Sequence, residues 1–524
     1  MSVTTSYPGL YIQEIPLDSH AIVPAPTSIA AFVGYSHPYK TTEFKVAQQI
    51  FSFSDYQTYF GGLFSSGVID ASLPRAVYQF FLNGGSVAYV VGLQPGEFDK
   101  NGAAIDRLGP GGVFITSTLA TAGGGGIVFT ARELTDVVAM TVTITNVRTS
   151  NTVFDIVVTY GTQVETHRGL VLGSATSTLA DQLNKASNLI SVAPDSGGWG
   201  TALTAATISP IPLTYTPGSG LVSGFSAADF APVFAANSSL DNVEIFNLLM
   251  VPGVNDNAVL SEALAFAERK RAFAIIDPPP QAPAVGQAPP SPIDDWMTGT
   301  GVPALPTSQN GALYFPYLTS TDLITGKPIP MAPSGFVAGI YAQTDASRGV
   351  WKAPAGLATV VLNTQGPVPS GVMNDPQQGV LNLDSINCLR TFSGVGTVVW
   401  GSRTLVAKNT AFAQSKYVPV RRMTLFIEQT LLANLRWAVF EPNDEPLWVS
   451  IRASIEAFML SLFRQGALQG STPSQAFQVK CDSTTTTPTD QQNGIVNIVV
   501  AFAPLKPAEF VVIQIAQLAG QTNS

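Results

Sequence analysis

Charged residues are scarce in this chain of 524 residues. Only 12% of them are Asp, Glu, Lys or Arg, about half the share found in a typical globular domain. The 35 acidic side chains outnumber the 26 basic ones, and the net charge is −9. This balance offers no basic surface to nucleic acid or to an anionic membrane. A surface with so little charge favours repeated self-association.

Cysteine is almost absent, because the chain holds only Cys388 and Cys481. Two cysteines this far apart make neither a disulfide framework nor a CxxC metal site, so we expect two buried, reduced thiols. The opening MSVTTSYPGLYIQEIP lacks the basic and apolar segments of a secretory signal. No apolar run reaches about 18 residues, so no membrane-spanning helix is expected. We therefore expect synthesis and folding in a cytoplasm.

Histidine is equally rare, and this limits the catalytic options. A Ser-His-Asp triad needs a histidine near its nucleophile, but His20, His37 and His167 all lie outside residues 225–380. Asp277 ends an apolar strand, where α/β enzymes place catalytic groups, yet the Pro-rich PPPQAPAVGQAPPSP follows it. The glycines at 123–126 precede no GKS or GKT and indicate a turn. We expect no enzymatic activity, cofactor or metal; an α/β hydrolase with a β-rich accessory domain stays open as an alternative.

Two parts of the chain have an α/β texture. SIAAFVGY (28–35) and SVAYVVG (86–92) are apolar runs of strand length, and residues 73–82 between them have a helical pattern. The same texture resumes at residue 242, with strands predicted at 273–277 and 312–318 and a helix at 258–271. A second helix is predicted within GFVAGIYAQTDASRGVWKAPAG. The alternation of strand and helix favours an α/β fold.

The region between residues 95 and 225 has a different texture, rich in Gly, Thr, Ser and Val. Val142 and Ile144, and after a turn at 149–151 also Phe154, Ile156 and Val158, alternate with polar residues, which predicts a hairpin with one solvated face. A short helix is predicted at 179–187. We interpret the region as an inserted β-sandwich-like domain.

The stretch from 390 to 510 is predicted to form a compact α+β unit. In its helix at 447–463, one face collects Leu447, Ile451, Ile455, Phe458 and Leu462. Pro446 suits the first turn, and Asp444 or Glu445 suits the cap. The opposite face carries Arg452, Glu456 and Arg464.

Short alternating runs lie near both ends of the chain. Leu10–Ile15 has no local strand to pair with, so it either joins a sheet elsewhere or remains a frayed tail. The run at 510–516 alternates in the same way, and pairing within its own chain is the other possibility for it.

Several stretches closely resemble the tail sheath proteins of contractile phages and phage-tail-like injection particles. They include YPGLYIQEIP, PTSIAAFVGYS, the segment GFVAGIYAQTDASRGVWKAPAG, LNLDSINCLRTFSGVGTVVWGSRTL, YVPVRRMTLFIEQTL, FEPNDEPLWVSIR, FRQGALQGSTPSQAFQVKCD and PLKPAEFVV. The resemblance runs collinearly through most of the chain and is weakest at 95–225.

The resemblance implies a structural subunit of mixed α/β, multidomain fold. The implied domains are an N-terminal arm (1–20), the first part of a subtilisin-like α/β domain (21–95), the inserted outward-facing β-rich domain (96–224), the rest of the α/β domain (225–380) and a tube-proximal α+β domain (381–524). Subunits would stack as hexameric rings around an inner tube and contract to drive it through a target envelope. A static self-assembling shell is the remaining alternative.

The resemblance also implies partners and contact residues. Besides other copies of the chain, the partners would be the inner tube, baseplate and terminal cap proteins, with no nucleic acid and no membrane insertion. Assembly would occur in a bacterial cytoplasm, for a phage tail or an extracellular or cell-anchored injection particle. A single uninterrupted chain argues against the two-protein sheath of type VI secretion.

Subunits of this family exchange terminal strands. The implied donor residues are Leu10, Tyr11, Ile12, Gln13, Glu14, Ile15, Phe510, Val511, Val512, Ile513, Gln514 and Ile515. The implied recipients lie near 478–480 and 497–501. Candidate tube or subunit contacts are Arg421, Arg422, Arg452, Glu456 and Arg464.

Overall fold

A computed structural model describes residues 20–38, 40–67, 69–94, 116–172, 177–205, 208–213, 225–280, 293, 296 and 304–514. Its strands are β1 (Ala30–Tyr35), β2 (Ala47–Ile50), β3 (Ala88–Leu93), β4 (Thr116–Ala122), β5 (Gly126–Ala131), β6 (Met140–Arg148), β7 (Val153–Tyr160), β8 (Gln163–Val171), β9 (Ile190–Pro194), β10 (Ala202–Leu203), β11 (Ile211–Leu213), β12 (Leu248–Met250), β13 (Phe273–Ile276), β14 (Gly311–Phe315), β15 (Leu318–Thr321), β16 (Pro328–Met331), β17 (Gly366–Pro367), β18 (Ile386–Phe392), β19 (Gly396–Trp400), β20 (Phe477–Lys480) and β21 (Val499–Phe502). Its α-helices are α1 (Phe53–Phe60), α2 (Ser72–Leu82), α3 (Leu179–Leu183), α4 (Ala231–Phe234), α5 (Asn257–Lys270), α6 (Ser334–Arg348), α7 (Asp375–Leu383), α8 (Val418–Asn434), α9 (Glu445–Arg464), α10 (Pro473–Ala476) and α11 (Pro488–Gln492).

The chain divides into two compact units. The large unit is Pro26–Arg421, and the C-terminal unit comprises the described residues of Met1–Ala25 and Arg422–Ser524. This division differs from the predicted boundary at 380/381 and from a unit beginning at 390. The reason is strand pairing, since β18 lies parallel to β14 and carries β19 with it. Residues up to Arg421 therefore belong with the α/β part of the chain.

The large unit is built around an eight-stranded sheet with the order β19-β18-β14-β13-β12-β1-β3-β2. Its inner strands run parallel, and the two edge strands, β19 and β2, are antiparallel to their neighbours. All six residues of β1 are buried, as expected for a parallel strand that is covered on both faces. The predicted mixed α/β fold is therefore confirmed, and the sheet itself contains both parallel and antiparallel strands.

Two helices of this unit approach each other closely at a glycine. A Cβ atom on Gly339 of α6 would lie 2.5 Å from the Asn83 Cβ, next to the end of α2, and 2.8 Å from the Phe80 carbonyl oxygen. Real Cβ atoms do not tolerate such distances, so Gly339 sets how near the two helices come.

The inserted region forms two four-stranded sheets, β10-β4-β5-β9 and β11-β6-β7-β8. One apolar core contains side chains from both, among them Ile127, Phe129, Val142 and Ile156. The predicted hairpin is confirmed, with Val142 opposite Val158 and Ile144 opposite Ile156. Its turn residues, Thr149, Ser150 and Asn151, all have positive φ. The predicted helix at 179–187 ends earlier, at Leu183.

One predicted strand, at 312–318, is wrong as a single element. β14 ends at Phe315, and β15 begins at Leu318 in a separate three-stranded sheet. Pro316 stands between them, and it has no N–H group to donate to a ladder.

Asp277 has a structural environment at the carboxyl end of β13. Its buried carboxylate accepts hydrogen bonds from the Gly253 N–H (3.0 Å), the Ser334 N–H (2.7 Å) and the Ser334 hydroxyl (2.6 Å). It thereby ties the turn after β12 to the first residue of α6. Burial raises the pKa of Asp277 to about 6, although these hydrogen bonds oppose the shift and the Asp70 charge adds to it.

Asp277 should make the stability of the protein depend on pH. A folded-state pKa above the ordinary value means that the folded chain takes up this proton more readily, so this contribution grows as the pH falls from about 7 to about 4, and it is lost as the pH rises through about 6. In D277N that contribution should disappear, and D277A should lose about 2–4 kcal/mol of unfolding free energy because it leaves three buried donors unpaired. Denaturant unfolding at several pH values measures both effects.

The matched control is Glu456→Gln, which removes a carboxylate that is exposed. It should keep the wild-type pH profile. Identical pH profiles for wild type and D277N would contradict the assignment.

Candidate assembly surface of the C-terminal unit

The core of the C-terminal unit is helix α9. The apolar face predicted from the sequence is confirmed, because Leu447, Ile451, Ile455, Phe458 and Leu462 are all buried. The helix begins after Asp444, whose carboxylate accepts from the Leu447 N–H, and Pro446 lies in the first turn. By length and composition alone α9 could cross a membrane. Its apolar face, however, is buried within the protein, as in the core helix of a globular unit.

A small antiparallel sheet consists of β20 and β21. Phe477 pairs with Phe502, and Lys480 pairs with Val499. Helix α9 holds this sheet, since the Arg452 guanidinium donates to the carbonyl oxygen of Cys481, the residue after β20 (2.8 Å). The recipient segments expected at 478–480 and 497–501 therefore lie largely in one preformed sheet.

Both outer edges of this sheet are open within the described part of the chain, where it contains only these two strands. The Ala503 N–H donates to the Ala476 carbonyl (2.8 Å). Because the backbone groups of an antiparallel pair point alternately toward and away from the partner strand, this bond shows which residues face the partner. The N–H and C=O groups of Val500 and Phe502 then point away from β20, and those of Phe477 and Val479 point away from β21. Such an edge is a template for a further strand.

The described end of the chain is a run of exposed apolar side chains. Phe510, Val511, Val512 and Ile513 expose between 72% and 83% of their surface, and the segment belongs to no strand. Gln514 is exposed as well, whereas Ile515 lies outside the described residues. The first donor set, Leu10, Tyr11, Ile12, Gln13, Glu14 and Ile15, lies entirely outside them.

The five candidate polar contacts have different environments. Arg421 belongs to the large unit, where its Nε donates to the Asn310 side-chain oxygen (2.8 Å). Arg422 exposes only 3% of its surface, and Arg452 is engaged with Cys481. Glu456 and Arg464 are exposed on α9. These two are therefore the members of the set that a partner could reach directly.

The sequence did not predict the contacts that attach Val23 and Ala25 to helix α8 in the C-terminal unit. The Asn434 side chain, at the end of α8, accepts from the Val23 N–H (2.9 Å) and donates to the Val23 carbonyl (2.8 Å). The Ala25 N–H donates to the Thr430 hydroxyl (3.1 Å). The only hint in the sequence is that Thr430 and Asn434, two polar residues, lie four apart on one helix face. This spacing does not identify Val23 and Ala25 as their partners.

The described residues assemble no Ser-His-Asp triad at Asp277 and Ser334. His37 is buried and hydrogen-bonded to Glu133 (3.0 Å), and His167 lies 3.2 Å from Glu165. His20 belongs to the C-terminal unit and stacks on Trp437. Cys388 and Cys481 are free and buried, as expected.

Comparison with known proteins supplies the family. The model of the phage tail sheath protein central domain matches residues 233–405, and that of the phage tail sheath C-terminal domain matches residues 410–517. A putative prophage major tail sheath protein of Pseudomonas aeruginosa (strain UCBPP-PA14) is 26% identical over 301 residues, which are 56% of this chain and 70% of the relative. The tail sheath protein of Burkholderia phage BcepMu is 28% identical over 230 residues, 43% of this chain and 46% of the relative.

Solved structures share the fold over nearly the whole chain. A cryo-EM structure of the PVC sheath complex of an extracellular contractile injection system, in its contracted state, matches with a TM-score of 0.58 and 21% identity, covering 98% of this chain and 99% of the other. A chain of the anti-feeding prophage baseplate matches with a TM-score of 0.57, 23% identity and the same coverage.

These matches define a multidomain α/β protein of a contractile assembly. The chain belongs to the contractile tail sheath family, and it is a structural subunit of a contractile sheath. The two family models begin at residues 233 and 410, so neither covers the inserted region at 95–225, where the resemblance is weakest.

The bond from Arg452 to Cys481 should be what fixes β20 on α9. Arg452→Met keeps much of the apolar stem but removes the donor, and a hydrogen bond from a charged group contributes about 1.5–3 kcal/mol. Amide hydrogen exchange should therefore accelerate in β20 and β21, with α9 little changed. The exposed Arg464→Met is the matched control; equal exchange in both variants would show that the bond does not hold the sheet.

Proposed function

We propose that this chain polymerises as a helical stack of hexameric rings around an inner tube, and that the stack contracts to drive the tube through a target envelope. The observation that carries the proposal is the combination of open edges on the β20–β21 sheet with the exposed apolar run at 510–513. An isolated chain leaves both without a partner among the described residues. A second copy can supply what each lacks.

The chemistry of this exchange is strand addition. An extended segment of one copy adds to the open edge of another, with main-chain hydrogen bonds providing affinity and alternate side chains providing specificity. A net hydrogen bond contributes about 0.5–1.5 kcal/mol, so about four to six of them give roughly 2–9 kcal/mol per strand. In this proposal Leu10–Ile15 and Phe510–Ile515 are the donors, and β20 and β21 are the recipients.

The finer assignments follow from the same proposal. Glu456 and Arg464, exposed on α9, are the candidate contacts to the inner tube, while Arg421, Arg422 and Arg452 position structure within their own units. Baseplate and cap proteins end the stack, with no nucleic acid bound and no membrane insertion. The particle assembles in a bacterial cytoplasm as a phage tail or an injection particle. The α/β part is subtilisin-like without enzymatic activity, and the two sheets of the insert form a β-sandwich-like module.

Charges on one face of the C-terminal run should block assembly while leaving the folded chain intact. Val511→Glu with Ile513→Glu places two carboxylates on side chains that are 80% and 79% exposed in the isolated protein. Thermal unfolding of the monomer should therefore be unchanged, whereas burial against a neighbour becomes unfavourable. Electron microscopy and pelleting should show cylinders for wild type and none for the double variant.

The control is Gln514→Glu, on the alternate face of the same run. It should still assemble. Normal cylinders from the double variant would remove the C-terminal run from the donor role.

Removal of residues 1–18 tests the other donor. The truncated chain should remain a folded monomer, because its Val23, Ala25 and His20 contacts are kept, and it should form no ordered cylinders. Striated hollow cylinders from the full chain support the sheath function itself. If the full chain stays monomeric at high concentration, with the tube protein present, the proposed function fails.

A further inference from the structure

Phe440 stands out among the exposed apolar side chains. Its relative exposure is 103%, the highest value among the large apolar residues described, and its neighbour Val439 is 61% exposed. The two residues lie between α8 and α9. A fully exposed aromatic ring contributes no packing energy to the described part of the fold, and aromatic residues are enriched where proteins meet partners.

The backbone at Phe440 makes the choice of residue more unusual. Its φ is +70°, a region that Gly and Asn adopt readily and that a bulky side chain adopts only at a conformational cost. In an isolated subunit Gly or Asn would therefore suit this position better. Phe440 therefore occupies the corner between α8 and α9 despite two disadvantages, full exposure to water and a strained backbone.

The corner is held in place on both sides. Before it, the Val439 N–H donates to the Arg436 carbonyl (3.2 Å). After it, the Asn443 side chain donates to the Ile495 carbonyl (3.1 Å) and accepts from the Trp448 indole N–H (2.8 Å). The ring is thus presented on a fixed support, and such preorganisation reduces the entropy lost on binding.

The residues around Phe440 indicate which molecule covers its side chain. His20, the first described residue, stacks on Trp437 with ring centroids 3.6 Å apart, so the described part of the chain begins beside this corner. On the other side, the Asn443 side chain donates to the Ile495 carbonyl, four residues before β21. Phe440 therefore lies between the described start of the chain, which follows one proposed donor in the sequence, and the approach to a proposed recipient edge. Both are sites where a second copy of the chain arrives.

We infer that Phe440, with Val439, is an anchor that a neighbouring copy of this chain covers in the assembled sheath. The inference rests on the proposed sheath function and adds to it a side-chain contact outside the exchanged strands. Strand addition takes its affinity from main-chain hydrogen bonds, and a buried aromatic anchor adds binding energy from a side chain outside the strand.

The test compares Phe440→Gly, Phe440→Asn and Phe440→Tyr in the full chain. Gly and Asn accept the positive φ and lack the ring, so the monomer should unfold at the same temperature as wild type or slightly higher. The concentration needed for cylinder formation should rise about tenfold or more, as expected for loss of an interface anchor. Tyr keeps the ring and should assemble like wild type. Leu383→Ala, which truncates a side chain 68% exposed on α7, is the control and should also assemble normally.

The outcomes separate this inference from the proposed function. If wild type forms cylinders and the Gly and Asn variants form them at the same concentration, Phe440 is not an anchor between copies. If those variants assemble normally alone but no longer bind the tube protein, the occupant is the tube and the inference is overturned. If wild type itself never assembles, the proposed function fails, and the inference that rests on it is overturned as well.

Discussion

Backbone hydrogen bonding at a sheet edge is the constraint on which the assembly properties of this protein depend. The large unit meets much of it internally, since six central strands of its main sheet each have two neighbours and the edge strand β19 accepts hydrogen bonds from the Gly356 and Val361 N–H groups. The C-terminal unit does not, because β20 and β21 are the only strands of their sheet among the described residues. A two-stranded sheet is barely stable by itself. Here α9, through Arg452 and Cys481, maintains a sheet that still has room for further strands.

An α/β fold can serve a structural purpose when the groups at its usual catalytic edge hold the fold together. At the carboxyl end of β13, where such folds place reactive groups, the Asp277 carboxylate is saturated by Gly253 and Ser334. Ser334 in turn is the first residue of α6 and is buried. The groups at this edge hold the sheet to its helices. In the proposed function the contacts between copies lie on the surface of the other unit, in line with the general rule that function belongs to sites and not to folds.

The elements that could be predicted are those whose signal is local. The buried face of α9 and the β6–β7 hairpin follow from periodicity within about 20 residues. The boundary between the units could not be predicted in this way. It depends on β18 pairing with β14, some 70 residues earlier in the chain, and periodicity does not report partners. The split at Pro316 could have been predicted, since Pro is a known interruption of central strands.

Site residues were harder to predict than elements, for related reasons. Arg421, Arg422, Arg452 and Arg464 look equivalent in a sequence, yet one is buried, one bonds to a side chain, one fixes a strand and one is exposed. Nothing in the sequence distinguishes Phe440 from an ordinary core phenylalanine. Its significance comes from a backbone angle and an exposed fraction, which exist only in the folded chain.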